Sequence, residues 1–168
     1  FENLPNLKKL NCKGSKVLSI DNLPALENLN CSNTQVKKIK HLVTLTKLNC
    51  SSSRVKKIKL PNLIKLKCND TKVLKITRSP KLAYLECNNS KVEKIKAPLL
   101  EFLSANSCNI SNINQLTNLK ILEIYDEESD VESVIELNLP NLEELRTNQV
   151  ECFDNLKSLK VLDINFEH

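Results

Sequence analysis

One short phrase returns along this chain at a nearly constant interval. Leu7-Lys-Lys-Leu10-Asn-Cys12 recurs as Leu26-Glu-Asn-Leu29-Asn-Cys31, Leu45-Thr-Lys-Leu48-Asn-Cys50, Leu63-Ile-Lys-Leu66-Lys-Cys68 and Leu82-Ala-Tyr-Leu85-Glu-Cys87. Each cysteine is followed, five and eight residues on, by a β-branched pair: Val17/Ile20, Val36/Ile39, Val55/Ile58, Val73/Ile76 and Val92/Ile95. The cysteines are 18 or 19 residues apart. A fixed period of this size is the signature of a stacked-repeat architecture and outranks every local propensity.

The Leu-x-Cys alternation has period two, so Leu10 and Cys12 point to one face of a short strand while Lys9, Asn11 and Lys13 point to the other. Nineteen residues are too few for a strand, a full helix and two turns, so each coil returns through extended or 3-10 segments. One coil cannot bury its apolar face alone, but stacked coils bury one another's. The strands then make a parallel sheet advancing about 4.8 Å per coil, roughly 40 Å over nine. The later strands are Leu100/Leu103/Ala105, Leu119/Leu122/Ile124, Leu142/Leu145/Thr147 and Leu159/Leu162/Ile164, with extra residues at 125–130 and a shortened return after Thr147. The expectation is one domain, residues 1–168, of about nine repeats. The start at Phe1 and the lack of polar caps lead us to expect a fragment of a longer chain, or ends that a partner covers.

The pattern Leu-x-x-Leu-x-Cys-x-x-(Ser/Thr)-x-Val-x-x-Ile resembles the leucine-rich repeat family, with cysteine in the second strand slot. The resemblance implies an α/β-type solenoid with a curved parallel sheet on its concave face, extended or short 3-10 segments on the convex face, and few or no full helices. Where that family commonly has asparagine, three residues after the cysteine, this chain has Ser15, Thr34, Ser53, Thr71, Ser90 and then Cys108. A ladder of hydroxyls there can satisfy part of the turn backbone. The resemblance also implies a binding task, as a scaffold, receptor or effector module or as a regulatory subunit that recruits an enzyme.

Seven cysteines raise disulfide and zinc chemistry. Cys12, Cys31, Cys50, Cys68 and Cys87 fall in one inward column, their Cβ atoms about 4.8 Å apart, beyond disulfide range. No Cys-x-x-Cys pair offers a structural zinc site. They read as small apolar core residues, as do Cys108 and Cys152. Unpaired thiols favour a reducing, intracellular (cytoplasmic) compartment. Asn30-Cys-Ser, Asn49-Cys-Ser, Asn69-Asp-Thr, Asn88-Asn-Ser and Asn109-Ile-Ser match the glycosylation triplet, and the simpler reading is one triplet copied along the array. The two histidines, His41 and His168, converge with no nucleophile, and one glycine cannot build a phosphate loop, so neither an enzyme nor a cofactor is expected. Asp126, Glu127, Glu128 and Asp130 have oxygen ligands for a cation but no EF-hand spacing, and read as a solvated loop.

Charge divides the chain. Residues 1–96 carry 21 Lys or Arg against six acids, a balance of +15, and residues 97–168 carry −10. Such a dipole steers charged partners and permits head-to-tail self-association. Phase places Tyr84, Glu86, Phe102, Ser104, Ile121, Glu123, Tyr125 and Arg146 outward on the sheet. Three of the six aromatics stand there in successive coils, which marks Tyr84, Phe102, Ile121 and Tyr125, bordered by Glu86, Glu123 and Arg146, as a hot spot for another protein. The alternative surface is a convex stripe of Lys38, Lys57, Lys75 and Lys94, which can track nucleic-acid phosphates or an anionic membrane surface.

Overall fold

The computed structural model describes residues 4–125, 136–148 and 153–164. Nine short strands form one parallel sheet, one strand per coil, in chain order: Lys9–Asn11, Asn28–Asn30, Lys47–Asn49, Lys65–Lys67, Tyr84–Glu86, Phe102–Ser104, Ile121–Ile124, Glu144–Thr147 and Val161–Asp163. The register never slips. Leu10 pairs with Leu29, then Leu48, Leu66, Leu85, Leu103, Leu122, Leu145 and Leu162 follow in one row. Asp126, Glu127, Glu128, Asp130, Cys152, Asn165 and His168 lie outside the described residues.

The period-two reading of the strands holds. Leu29, Leu48, Leu66 and Leu85 are buried, as are Cys31, Cys50, Cys68 and Cys87, each wholly inaccessible. The cysteines are free thiols, each with its backbone N–H bonded to the next coil: Cys31 to the Asn49 carbonyl at 2.8 Å, Cys68 to that of Glu86 at 2.8 Å. Burial pushes the thiols of Cys31 and Cys68 up to about 12, because the interior penalises a thiolate. Cys108 departs from the core expectation. It packs against the core but is only partly buried, unlike Thr34, Ser53, Thr71 and Ser90 in the same slot.

The first six coils turn their first corner through a left-handed residue two places after the strand cysteine or its equivalent. Gly14, Asn33, Ser52, Asp70, Asn89 and Ser107 all have φ between 51° and 71° there. Glycine, asparagine, aspartate and serine tolerate this region where β-branched residues do not. The N–H of each reaches the next coil, as Asn33 does to the Ser51 carbonyl at 2.9 Å. The expected hydroxyl ladder closes three of these corners from inside, where Thr34, Ser53 and Thr71 donate to the carbonyls of Cys31, Cys50 and Cys68 at 2.6, 2.5 and 2.7 Å. The buried Ser15 hydroxyl, by contrast, finds no partner among the described residues, and Ser90 meets the Cys108 thiol at 3.5 Å. At the opposite corner a second ladder ties neighbouring coils. Thr44 donates to the Pro24 carbonyl, Asn62 to that of Val43, Asn118 to Pro98, Asn141 to Thr117 and Ser158 to Pro140.

The returns are extended, as expected, with one 3-10 turn at Ile113–Gln115 and no α-helix among the described residues. Val36, Val55, Val73 and Val92 and the isoleucines Ile20, Ile58, Ile76 and Ile95 fill the core behind the leucines. Asn112 is buried there, and its side-chain amide both accepts from the Ile95 N–H (3.0 Å) and donates to the Ile95 carbonyl (2.7 Å). In the ninth coil Leu162 remains 42% exposed, because its inward face has a neighbour on one side only.

The left-handed corner gives a clean test at Asn33, an exposed residue with φ 54°. Asn33→Gly should leave the urea midpoint nearly unchanged. Asn33→Val should lower stability by about 1–2 kcal/mol, the usual cost of a β-branched residue in this region.

Candidate functional site

The outward row of the sheet reads, in register, Lys9, Asn28, Lys47, Lys65, Tyr84, Phe102, Ile121, Glu144 and Val161. In-register pairing therefore places Tyr84 directly beside Phe102, and Phe102 beside Ile121. The rings of Tyr84 and Phe102 stack with centroids 4.3 Å apart and planes 4° from parallel. On the other side of Tyr84 the Lys65 ammonium lies 3.7 Å from the ring centroid. The tyrosine is thus held between a cation and a second aromatic ring, each favourable against a π face.

The polar border is equally ordered. The Tyr84 hydroxyl donates to the Glu86 carboxylate, which also receives Lys67 at 2.9 Å. Burial on its own raises the Glu86 carboxyl, but the bonds from Tyr84 and Lys67 and the charges of Lys67 and Lys65 together carry it below the usual carboxylate range. Tyr84 moves the other way: burial, then the bond to Glu86 and its charge, push the phenol above its ordinary value. Arg146 bridges Glu123 at 2.9 Å and Glu144 at 2.6 Å. Tyr125 is partly exposed, and its N–H donates to the Asn106 side chain at 3.1 Å. Tyr84, Glu86, Phe102, Ile121, Glu123, Tyr125 and Arg146 therefore share one face over four coils.

Ser104 departs from the expectation. It stands in an outward position but is buried, its hydroxyl bonded to the Asn88 side chain at 3.0 Å. What the strand phase alone did not show was the part taken by Lys65 and Lys67 in holding Tyr84 and Glu86. They occupy the same two rows one coil earlier, which was the available signal. The recurring asparagines also acquire a reason. Asn30 and Asn49 accept from the N–H groups of Ser32 and Ser51, while Asn69, Asn88 and Asn106 accept from those of Asn88, Asn106 and Tyr125 in the following coil.

Toward the N-terminal coils the sheet face is a shallow trough of about 350 Å³, lined by Lys9, Lys47, Lys65 and Lys67 among asparagines and leucines. On the return face Lys38, Lys57, Lys75 and Lys94 are all exposed. Lys75 pairs in register with Lys94, whereas Lys38 pairs with Ser19 and Lys57 lies outside any strand. The stripe is therefore continuous in charge but not in backbone. No group of three or more metal-ligating side chains comes together among the described residues.

Similarity to known structures fixes the architecture. The functional domain of InlJ from Listeria monocytogenes, which includes a cysteine ladder, superimposes with a TM-score of 0.71 at 22% identity, over 92% of this chain and 38% of that one. The fold is the leucine-rich repeat solenoid. Internalin C2 from the same organism follows at 0.69 and 20% identity, over 94% of this chain and 80% of its own. TLR13 in complex with ssRNA13 matches at 0.61 and 17% identity, over 96% of this chain and 33% of that receptor. No family model and no curated protein sequence matches the chain. This solenoid has its own ladder, the inward column from Cys12 to Cys87.

Two measurements probe these environments. In the native protein at pH 8 a thiol reagent should modify Cys108 before any of Cys31, Cys50, Cys68 or Cys87. Hydrogen bonds from the Cys87 thiol, then from Ser90, hold Cys108 down to about 6 against the opposing effect of burial. The Cys87 carbonyl, 2.9 Å away, accepts from its protonated form. Labelling of the column in the native state at the rate seen in denaturant would contradict the packing. Second, ultraviolet titration should find both tyrosines ionising above pH 10, since burial raises Tyr125 as well as Tyr84. Because their folded values exceed the unfolded one, the stability they contribute is complete below about pH 10 and is lost as pH rises further. Glu86→Gln should bring the Tyr84 step down.

Proposed function

We propose that this chain is a protein-interaction module that holds its partner across the concave sheet face, anchored on Tyr84, Phe102, Ile121 and Tyr125. The observation that carries the reading is the Tyr84–Phe102 stack, partly exposed in the middle of the sheet and fixed by Lys65 on one side. Large rigid aromatics with a polar border are the usual composition of an interface hot spot. Their stacking and hydroxyl bond fix them before a partner arrives, so little side-chain entropy remains to be lost on binding. The surrounding charges suit a partner of mixed polarity, with acids for Lys9 and Lys47 and bases for the acidic coils. This reading asks for no catalytic group, and a regulatory subunit that recruits an enzyme would use the same face.

The test is capture from source-cell lysate on the immobilised full chain, followed by affinity measurement with the purified partner. Phe102→Ala combined with Tyr125→Ala should weaken binding roughly thirtyfold or more, the scale of losing one strong hot spot. Lys9→Ala with Lys47→Ala, off the anchor, should change it far less. A double aromatic variant that folds normally by circular dichroism and binds within twofold of the parent would remove the assignment.

A further inference from the structure

The return face holds a second surface, independent of the sheet-face reading. Its strands pair in twos, Ser19–Asp21 with Lys38–Lys40 and Lys75–Ile76 with Lys94–Ile95, while residues 54–60 of the third coil join neither pair. Ile20 to Leu23, Ile39 to Leu42 and Ile76 to Ser79 are three-residue steps, while Ile58 to Leu60 and Ile95 to Ala97 are steps of two. The third return is thus as short as the fifth, which does pair with the fourth, and Ile58 and Leu60 still reach the core.

An open groove of about 1170 Å³ lies where the second and third returns fail to pair. Eight of its twelve lining residues are Lys or Arg; Lys37, Lys38 and Lys40 come from one coil and Lys56, Lys57 and Lys59 from the next. All eight are exposed, and none is in an ion pair among the described residues. The sheet face differs, since its Lys67 is neutralised by Glu86. Asp70 is the one acid on the lining, so eight cations face a single counter-charge there and concentrate anions.

The side chains narrow the choice of anion. No Phe, Tyr or Trp lines the groove, and its one imidazole, His41, is tied to Asp21 at 2.6 Å, which leaves bases little to stack on. Seven of the eight cations are lysines, which act as point charges and not as the bidentate forks that read base edges. A planar bilayer surface does not enter a recess between two coils. Beyond the groove Lys75 and Lys94 continue the charge along the solenoid axis, a further step of about 4.8 Å per coil. We propose that this groove binds a linear polyanion without bases, its sulfate or phosphate groups laid along the axis from Lys38 toward Lys94.

Fluorescence anisotropy on the full chain, with a labelled heparin octasaccharide and a labelled polyphosphate of equal charge, tests this and separates the two sources. At least one should bind, with an affinity that falls steeply with salt. Lys56→Glu, Lys57→Glu and Lys59→Glu together should weaken it roughly tenfold or more and flatten the log–log salt slope by about 2, three contacts at about 0.7 each. A matched control, Lys9→Glu, Lys13→Glu and Lys47→Glu, makes the same charge change on the sheet face and should cost less than threefold. The proposal is overturned if neither polymer binds the parent chain, if both triple variants lose affinity equally, or if an oligo-dT of equal charge binds more tightly than either polymer. It is overturned too if vesicles with anionic lipid capture the chain and leave the two polymers unbound.

Discussion

Everything in this molecule depends on one constraint: a coil of 18 or 19 residues cannot bury its own apolar side. It is stable only between neighbours of the same shape. Parallel pairing in strict register satisfies that need and the backbone together, since the strand that buries Leu48 against Leu29 and Leu66 also bonds both of them. The inward residues must then be alike from coil to coil, because a larger side chain in one coil meets the same slot in the next. Cysteine suits the second slot by being small and by finding its burial acceptable as a thiol, whereas serine of similar size would have to place a hydroxyl bond in the same space. The hydroxyls appear instead three residues later, where the carbonyls of Cys31, Cys50 and Cys68 can receive them.

A solenoid also converts sequence order into spatial order. The charge division of the chain becomes a gradient along the axis, and on the sheet face the lysines of the early rows give way to Tyr84 and Glu86 between the fourth and fifth strands. There Lys65 and Lys67 reach Tyr84 and Glu86 across one strand spacing. The junction combines an aromatic stack, a cation over a ring and a carboxylate with two donors. No part of that assembly is local in sequence beyond the Tyr84–Glu86 pair. It exists because the register brings residues 18 or 19 apart to adjacent places.

Most of the fold was legible because the repeat encodes it twice, once in the Leu-x-Cys alternation and again in the β-branched pair. Knowing the register, the outward rows could be read as well, and Tyr84, Glu86, Phe102, Ile121, Glu123 and Arg146 do share a face. Side-chain partnership was less legible. That Ser104 is buried under Asn88 and that Lys65 lies over Tyr84 depend on rotamers chosen against neighbours, which strand phase does not specify. The asparagines were read as copies of a triplet, yet two different bonding schemes lie behind them. In the early coils the carboxamide closes its own turn, and in the later ones it supports the N–H of the next coil.

The return face shows why such a fold can take on a second task without disturbing the first. The sheet fixes spacing and register through nine strands, and the buried isoleucines and leucines fix depth. Between those anchors the return is free to lose a residue. The third and fifth coils do so, between Ile58 and Leu60 and between Ile95 and Ala97, with all four residues still buried and the fifth return still paired with the fourth. The same deletion within Leu48-Asn49-Cys50 would reverse every side chain beyond it. Variation in a solenoid is therefore channelled to one side of the coil, and here it coincides with the densest positive charge on that side. The sheet-face trough and the groove share no lining residue, so each can be altered without touching the other.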